Sequence, residues 1–304
     1  MAGQHVALLG GRGFLGSATQ KELRRREVPF WTVSRSPGPA EAHRRGDIED
    51  PLSLRRALSG ADIIVNFVAS SPLLPPGAHG RYYRQHLRGV RNLLNVCREL
   101  GVSRLVHIGA LGVRTTSNAP YAWTKAIAEA EVDDSAVPST VYSPSILFGK
   151  DSELIRTLHR ASILPVVPVP RVATLFQPIF VGDLGSLIAD TVSPNRRSPG
   201  TSPDTLAPAG GSVHYEVAGP DTYSGTQFAD LYLRTRGCVR VYVPQSAVEY
   251  GIRAAAGLHI PGFPVQLPEM LSMENVLTGA FPGIRTVRSY ADWLQRLSGS
   301  PGAR

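Results

Sequence analysis

The sequence is short of the residues on which several kinds of protein depend. Two cysteines in 304 residues, Cys97 and Cys238, are too few for a disulfide framework, which excludes a small cross-linked secreted scaffold. Cys97 falls inside a helical pattern and reads as a small buried apolar residue. No stretch approaches the roughly 20 consecutive apolar residues that span a bilayer, so membrane insertion is not expected. Met1 to His5 runs straight into an apolar segment, without a charged region, a long apolar core and a small-residue cleavage site, so no secretory signal is expected either. A reducing cytoplasm is the expected compartment. His and Cys clusters with metal-ligand spacing are missing, as is a Gly-x-Ser-x-Gly elbow. Lysine is the scarcest charged residue: Lys21, Lys125 and Lys150 are the only three.

What is present points to a globular chain. Hydrophobic residues make up 42%, enough to bury a core over one large or two small domains. The net charge of +8 is almost all arginine. A basic balance can signal nucleic acid. Here the arginines are scattered over helix faces (Arg24 to Arg26, Arg55, Arg56, Arg84, Arg88, Arg91), without interleaved aromatics, and a nucleic-acid partner is not expected.

Along the chain, short apolar runs alternate with amphipathic stretches. Strands are expected at 5–9, 30–33, 63–68, 105–108 and 140–142. Helices are expected at 14–26, 51–58 (Asp50 as its cap and Pro51 in its first turn), 82–100 (stopped by Gly101) and 121–132. This rhythm implies an α/β fold, a Rossmann-type doubly wound parallel sheet. Residues 1–150 read as the dinucleotide-binding domain and 151–304 as a smaller substrate-binding region that includes sheet-completing elements. In that second part, strands are expected at 215–217 and 240–243, and helices at 226–235, 245–257 and 287–297. Ser193 to Ser212 is rich in Pro, Ser and Gly and reads as a mobile surface loop.

The first strand ends in Gly10-Gly11-Arg12-Gly13-Phe14-Leu15-Gly16, and a helix follows. The glycines allow a tight turn and close backbone approach, and the helix N-terminus offers free N–H groups to a pyrophosphate. Gly10, Arg12, Gly13, Phe14, Leu15 and Gly16 are therefore candidate cofactor residues. Where an NAD site usually carries an acid, this chain has Ser34-Arg35-Ser36, with no carboxylate between Glu27 and Glu41. Arg35, with Arg12, suits the 2′-phosphate of NADP(H) better than the free hydroxyl of NAD(H).

With these motifs, the blocks VALLGGRGFLGS, GDIEDPLSLRRALSGADIIVNFVAS, YYRQHLRGVRNLLNVCRELGVSRLVHIGALG, YAWTKAIAEAEV, SPSILFG and QPIFVGDLGSLI resemble the short-chain dehydrogenase/reductase superfamily in its extended or atypical branches. Those branches include the NADPH-binding accessory subunit of respiratory complex I and epimerase/dehydratase-like proteins. The resemblance implies that Asp47 and Ile48 hold the adenine, that Ala69 lines the cofactor ribose, and that Tyr121 and Lys125 are the Tyr-x-x-x-Lys pair. Chemistry supports that pair: a spacing of four puts both on one helix face, and an ammonium beside a phenol favours the phenolate, so Tyr121 can pass a proton to or from a carbonyl oxygen. Ten tyrosines and three lysines give about 0.1 such pairs by chance.

The chain departs from the family pattern twice. Gly109 stands where the active-site serine should be, and His86 where a structural asparagine should be. Thr115, Thr116 or Ser117 are the expected substitutes for the serine, ahead of His86 or His107. The expected activity is NADP(H)-dependent oxidoreduction of a small-molecule carbonyl or alcohol, Tyr121 serving as acid/base and Lys125 holding ribose and tuning it. A non-catalytic NADP(H)-binding sensor or assembly subunit, and a nucleotide-sugar epimerase/dehydratase, are the alternatives. Oligomeric state is not legible.

Overall fold

The computed structural model describes residues 5–38, 42–71, 79–193, 211–247 and 273–299. Val6–Leu9 forms β1, with four apolar side chains all buried, which is what a strand covered on both faces requires. On one side of it lie β2 (Phe30–Ser34) and β3 (His43–Arg45). On the other lie β4 (Ile63–Asn66), β5 (Arg104–Ile108), β6 (Ser139–Pro144), β11 (Val213–Ala218) and β14 (Gly283–Arg285). The spatial order is β3-β2-β1-β4-β5-β6-β11-β14, and every pairing in this sheet is parallel. The chain moves outward from β1 to β3, then returns to the other side of β1. That reversal opens a crevice at the carboxyl ends of β1 and β4, where doubly wound sheets bind ligands.

Alternation along the strands divides the core. Ala7, Leu9 and Val33 face a layer that includes Leu54, Leu58, Leu93 and Val132, from α2 (Pro51–Leu58), α4 (Gly89–Leu100) and α5 (Pro120–Asp133). Val6, Leu8 and Val65 face α1 (Phe14–Arg25) and α7 (Val181–Val192) through Leu15, Leu23, Leu184 and Ile188. The tie between α1 and α7 is also ionic: Arg26, 6% exposed, gives Nη1 to Asp190 at 2.5 Å and Nη2 to Ser186 Oγ at 2.8 Å. A buried charge needs such a partner, because desolvation is otherwise uncompensated.

Beyond the sheet, β8 (Val166–Arg171) pairs in parallel with β13 (Val239–Pro244). Helices α6 (Glu153–Ala161), α8 (Gly225–Thr235) and α9 (Tyr290–Gly299) share a core with this pair that includes Phe148, Val167, Val169, Phe228 and Tyr290. Pro168 and Pro170 lie within β8. A two-stranded pair has free edges, so a residue without an N–H is tolerated there. Short pairs join β7 (Leu147–Phe148) to β10 (Ile179–Phe180) and β9 (Leu175–Phe176) to β12 (Tyr223–Ser224).

Two local expectations change. The third expected strand stops at Asn66 rather than Val68, because Asn66 Oδ1 accepts the Val68 N–H at 3.1 Å and turns the chain. The expected helix from Tyr82 begins earlier, as α3 (His79–Tyr82), and passes through a π-helical turn at Tyr83–Arg88 before α4. The expanded turn sends two consecutive side chains to one residue: Gln85 Oε1 accepts from Ser70 Oγ at 2.7 Å, and His86 Nε2 accepts from Ser70 N at 3.1 Å. The loop expected at 193–212, apart from its ends, and the helix expected at 245–257, apart from its start, lie outside the described residues.

Candidate functional site

The glycine loop has the geometry its spacing predicts. Gly10 takes φ +74°, a left-handed conformation that a side chain disfavours. At Gly16 a Cβ would come within 2.3 Å of the Gly11 carbonyl oxygen, so α1 reaches this close to the turn only without one. Gly13 caps α1 with no side-chain hydrogen bond, and the helix therefore offers first-turn N–H groups outward.

Gly13, Phe14, Leu15, Gly16, Ala69, Tyr121 and Lys125 line one cavity of about 510 Å³. It lies at the crevice between β1 and β4, and these seven candidate cofactor and catalytic residues meet there beside Gly109. Gly10 sits behind it. The others do not line it. Arg12 turns away across the loop after β2, where Nη1 donates to the Pro37 carbonyl at 2.8 Å. Ser34 Oγ donates to the Ser36 carbonyl at 3.0 Å, and Arg35 is exposed beside it. The Asp47 carboxylate accepts the Glu49 N–H at 3.0 Å. Ile48, 3% exposed, packs near Gly89, and its carbonyl accepts from Asn92 Nδ2 at 3.0 Å.

Tyr121 stands at the start of α5, its ring edge-on to Tyr82 and His86, with centroids 5.7 and 5.6 Å away. Among the described residues its hydroxyl makes no hydrogen bond. One helical turn on, Lys125 is 3% exposed and donates to the Ile108 carbonyl at 2.6 Å. The phenol is not lowered as the sequence suggested. Burial pushes it up, and Glu129 and Tyr82 add to that. Burial pushes Lys125 itself down to about 8, against the pull of Glu129.

The expected substitutes for the missing serine are elsewhere. Thr115 and Thr116 are exposed and do not line the cavity, and Ser117 Oγ accepts the Ala119 N–H at 3.2 Å. The hydroxyls that do line it belong to Ser70, Ser71, Ser145 and Ser152. His86 and His107 are structural. Thr124 spends its proton on the Pro120 carbonyl at 2.7 Å, so His86 Nδ1 donates to Thr124 Oγ1 at 2.9 Å while Nε2 accepts from Ser70. Burial drives His86 down to about 2 and His107 to about 3, and both stay neutral.

Sequence reasoning missed two contributors. Glu129 is spaced four from Lys125 and eight from Tyr121, a pattern visible in YAWTKAIAE. Its Oε1 accepts the Ala110 N–H at 2.8 Å and its Oε2 the Ser143 hydroxyl at 2.8 Å. Asn275, which no local signal marks, closes the cavity from the second half. Its Oδ1 accepts from Ile146 N at 2.7 Å and Ser145 Oγ at 2.6 Å, and its Nδ2 donates to the Leu111 carbonyl. The remaining walls are largely apolar, with Phe67, Val113, Ile146, Leu154, Phe176 and Met273. Arg156 stands among them exposed and, among the described residues, without an ion pair.

The family model described as NAD dependent epimerase/dehydratase matches residues 6–151. The match covers just under half of the chain. The resemblance to extended short-chain dehydrogenases read from the sequence is thereby borne out, as is the Rossmann-type sheet. Among curated proteins, the chain is 28% identical over 180 residues to a 2-alkyl-3-oxoalkanoate reductase of Stenotrophomonas maltophilia, covering 50% of this chain and 54% of the reductase. It is 25% identical over 198 residues to the mitochondrial NADH dehydrogenase [ubiquinone] 1 alpha subcomplex subunit 9 of Dictyostelium discoideum, covering 62% of this chain and 48% of that subunit. The chain thus spans about half the length of these relatives. A nucleoside-diphosphate-sugar epimerase structure from Staphylococcus aureus superposes with TM-score 0.70 at 18% identity, over 96% of this chain and 100% of that one. A Thermus thermophilus UDP-glucose 4-epimerase in complex with NAD gives 0.59 at 16% identity, over 79% and 86%. These two likenesses concern the fold. Among the described residues, no helix is long and apolar enough to cross a membrane, and no His, Cys, Asp and Glu group is arranged to hold a metal ion.

Proposed function

We propose that this epimerase/dehydratase-family protein is an NADP(H)-dependent reductase that converts a carbonyl of a small, largely apolar molecule to an alcohol, reversibly. The observation that carries the reading is the Tyr121 hydroxyl, without a partner among the described residues, which shares one cavity with the glycine loop and Lys125. The cradle fits a dinucleotide, since Gly16 admits no Cβ and the N-terminus of α1 is uncapped. Gly13, Phe14, Leu15 and Gly16 would hold its phosphates and Ala69 and Lys125 its ribose, with Gly10 shaping the turn and Asp47 and Ile48 near the adenine. Bound there, the nicotinamide supplies or takes up a hydride. Tyr121, held protonated by burial, gives its proton to the carbonyl oxygen, and the Lys125 ammonium favours the phenolate that is left. Arg12 and Arg35 flank the end of β2, where a 2′-phosphate would lie, which supports NADP(H) over NAD(H). Phe67, Val113, Ile146, Leu154, Phe176 and Met273 in the walls support an apolar carbonyl compound. Arg156 is the cation available to an acidic group on it.

One observation favours a second reading, a protein that binds NADP(H) without turnover: the place of the family serine is closed off by Glu129. The experiment that separates the two is NADPH oxidation by the purified protein with aliphatic ketones, 3-oxo acids and quinones. A reductase should turn over at least one of them. Tyr121→Phe should then cut kcat by about a hundredfold or more with the NADPH dissociation constant unchanged. Turnover that survives Tyr121→Phe defeats the mechanism. NADPH binding without turnover on any substrate supports the second reading.

A further inference from the structure

Tyr121, Lys125 and Glu129 follow one another on a single face of α5. Glu129 is 6% exposed and is no part of the cavity wall. It lies behind Gly109, in the space a side chain there would need: a Cβ on Gly109 would come within 2.4 Å of Oε1 and 2.5 Å of Ser143 Oγ. The carboxylate is held at both oxygens, by the Ala110 N–H and the Ser143 hydroxyl. Ser143 gives its one proton to Glu129, and its Oγ lies 2.8 Å from His214 Nε2. The other ring nitrogen of His214 lies 2.7 Å from Asp133 Oδ2, and Phe281 stacks on the ring with centroids 3.7 Å apart. Glu129, Ser143, His214 and Asp133 thus form one hydrogen-bonded chain from the back of the cavity to Asp133, whose side chain is 26% exposed.

Lys125 is buried, with a backbone carbonyl as its hydrogen-bond partner. The titratable groups coupled to it are Glu129 on α5, His86 in the π turn and His107 on β5, and Tyr121 lies one turn before it on α5. Glu129 is the acid among them. We infer that Glu129 is a positioning residue of this site: seated in the space beside Gly109 and held from behind by Ser143, His214 and Asp133, it keeps Lys125 charged next to Tyr121. The electrostatics agree. Burial lowers Lys125 and Glu129 opposes it. Burial raises Glu129, while Lys125, the Ser143 hydroxyl, His214 and the Ala110 N–H oppose it. The use of this charge in turnover rests on the reductase reading, but the charge itself does not.

The scarcity of lysine makes the test direct. In protein labelled with carbon-13 at lysine Cε, Lys125 gives one signal beside those of the exposed Lys21 and Lys150, and all three can be followed from about pH 6 to 11. In Glu129→Gln, which keeps the size and the acceptor for Ala110 but not the charge, Lys125 should titrate about one pH unit lower or more, with the other two unmoved. Ser143→Ala removes a hydrogen bond that favours ionised Glu129, and Lys125 should move the same way by a smaller step. If Lys125 titrates alike in wild type and both variants, the inference is overturned, whatever the protein turns over. Ser143→Ala decides the matter alone if Glu129→Gln does not fold. In an active enzyme, the alkaline limb of kcat/KM should shift down with the lysine in Glu129→Gln. A wild type without turnover counts against the reductase reading, and the lysine titration still decides this one.

Discussion

Gly109 offers no side chain, and the space beside its Cα belongs to Glu129 and Ser143. Serine at 109, which the family pattern invites, would put its Cβ 2.4 Å from a carboxylate oxygen rather than add a hydrogen bond to a reacting oxygen. Gly109→Ser should therefore destabilise the fold, by about 1–3 kcal/mol as overpacked cores do, and should not raise NADPH-dependent turnover. Glu129→Ala opens the space, so in the double variant the cost of the serine should fall, a coupling that a urea-unfolding cycle measures. Gly109→Ser with wild-type stability would contradict this packing. Glu129 itself could have been read from the sequence as the third member of a Tyr-x-x-x-Lys-x-x-x-Glu series. That it fills the place of a residue 20 positions earlier could not, because no periodic pattern reports a contact between a helix and a strand end.

At the scale of elements, the segment after β2 matters most for cofactor choice. Arg12 leaves the glycine loop and anchors on Pro37, so two guanidinium groups, one from each loop, flank the end of one strand. A charge-assisted contact to phosphate contributes about 1.5–3 kcal/mol. Arg35→Asp should weaken NADPH binding by about tenfold or more and Arg12→Ala by a similar factor, with NADH little affected. Calorimetry with both cofactors checks this, and equal losses for NADPH and NADH would show that neither arginine reads the 2′-phosphate. The π turn at Tyr83–Arg88 is the second element that matters. It delivers Gln85 and His86 together onto Ser70, at the cavity wall, and sets the His86 ring against Tyr121.

Across the whole molecule, two buried histidines tie stability to pH. His86 is held near 2 and His107 near 3, against about 6.5 in an unfolded chain. Above about 6.5 both states carry neutral rings and nothing is lost. Below it the unfolded chain takes up protons that the folded chain refuses, so stability falls as the pH falls towards the folded values. Between pH 6.5 and 5 each ring should cost about 2 kcal/mol. Urea midpoints should drop steeply over this window, and His86→Asn should flatten the slope by about one proton. A midpoint that is flat from about pH 7 to 5 would mean that one ring or both take up protons without unfolding.

The sequence by itself determined the parallel sheet of the first half, its glycine turn, and the Tyr121–Lys125 pair. These are written in local code: apolar runs of strand length, a helical repeat of 3.6, and glycines where φ is positive or a helix comes close. Other features were decided only by tertiary structure. His43–Arg45 pairs as a strand although its sequence is polar, because β2 offers it an open edge. Val166–Arg171 pairs despite two prolines, because its partner is a lone strand. Asn275 closes a cavity built mostly from the first half. Glu129, Ser143, His214 and Asp133 converge behind Gly109 from two parts of the chain that the sequence separates by 71 residues. Burial then pushes the Glu129 carboxyl up, and burial is a property of the assembled core rather than of any stretch of sequence.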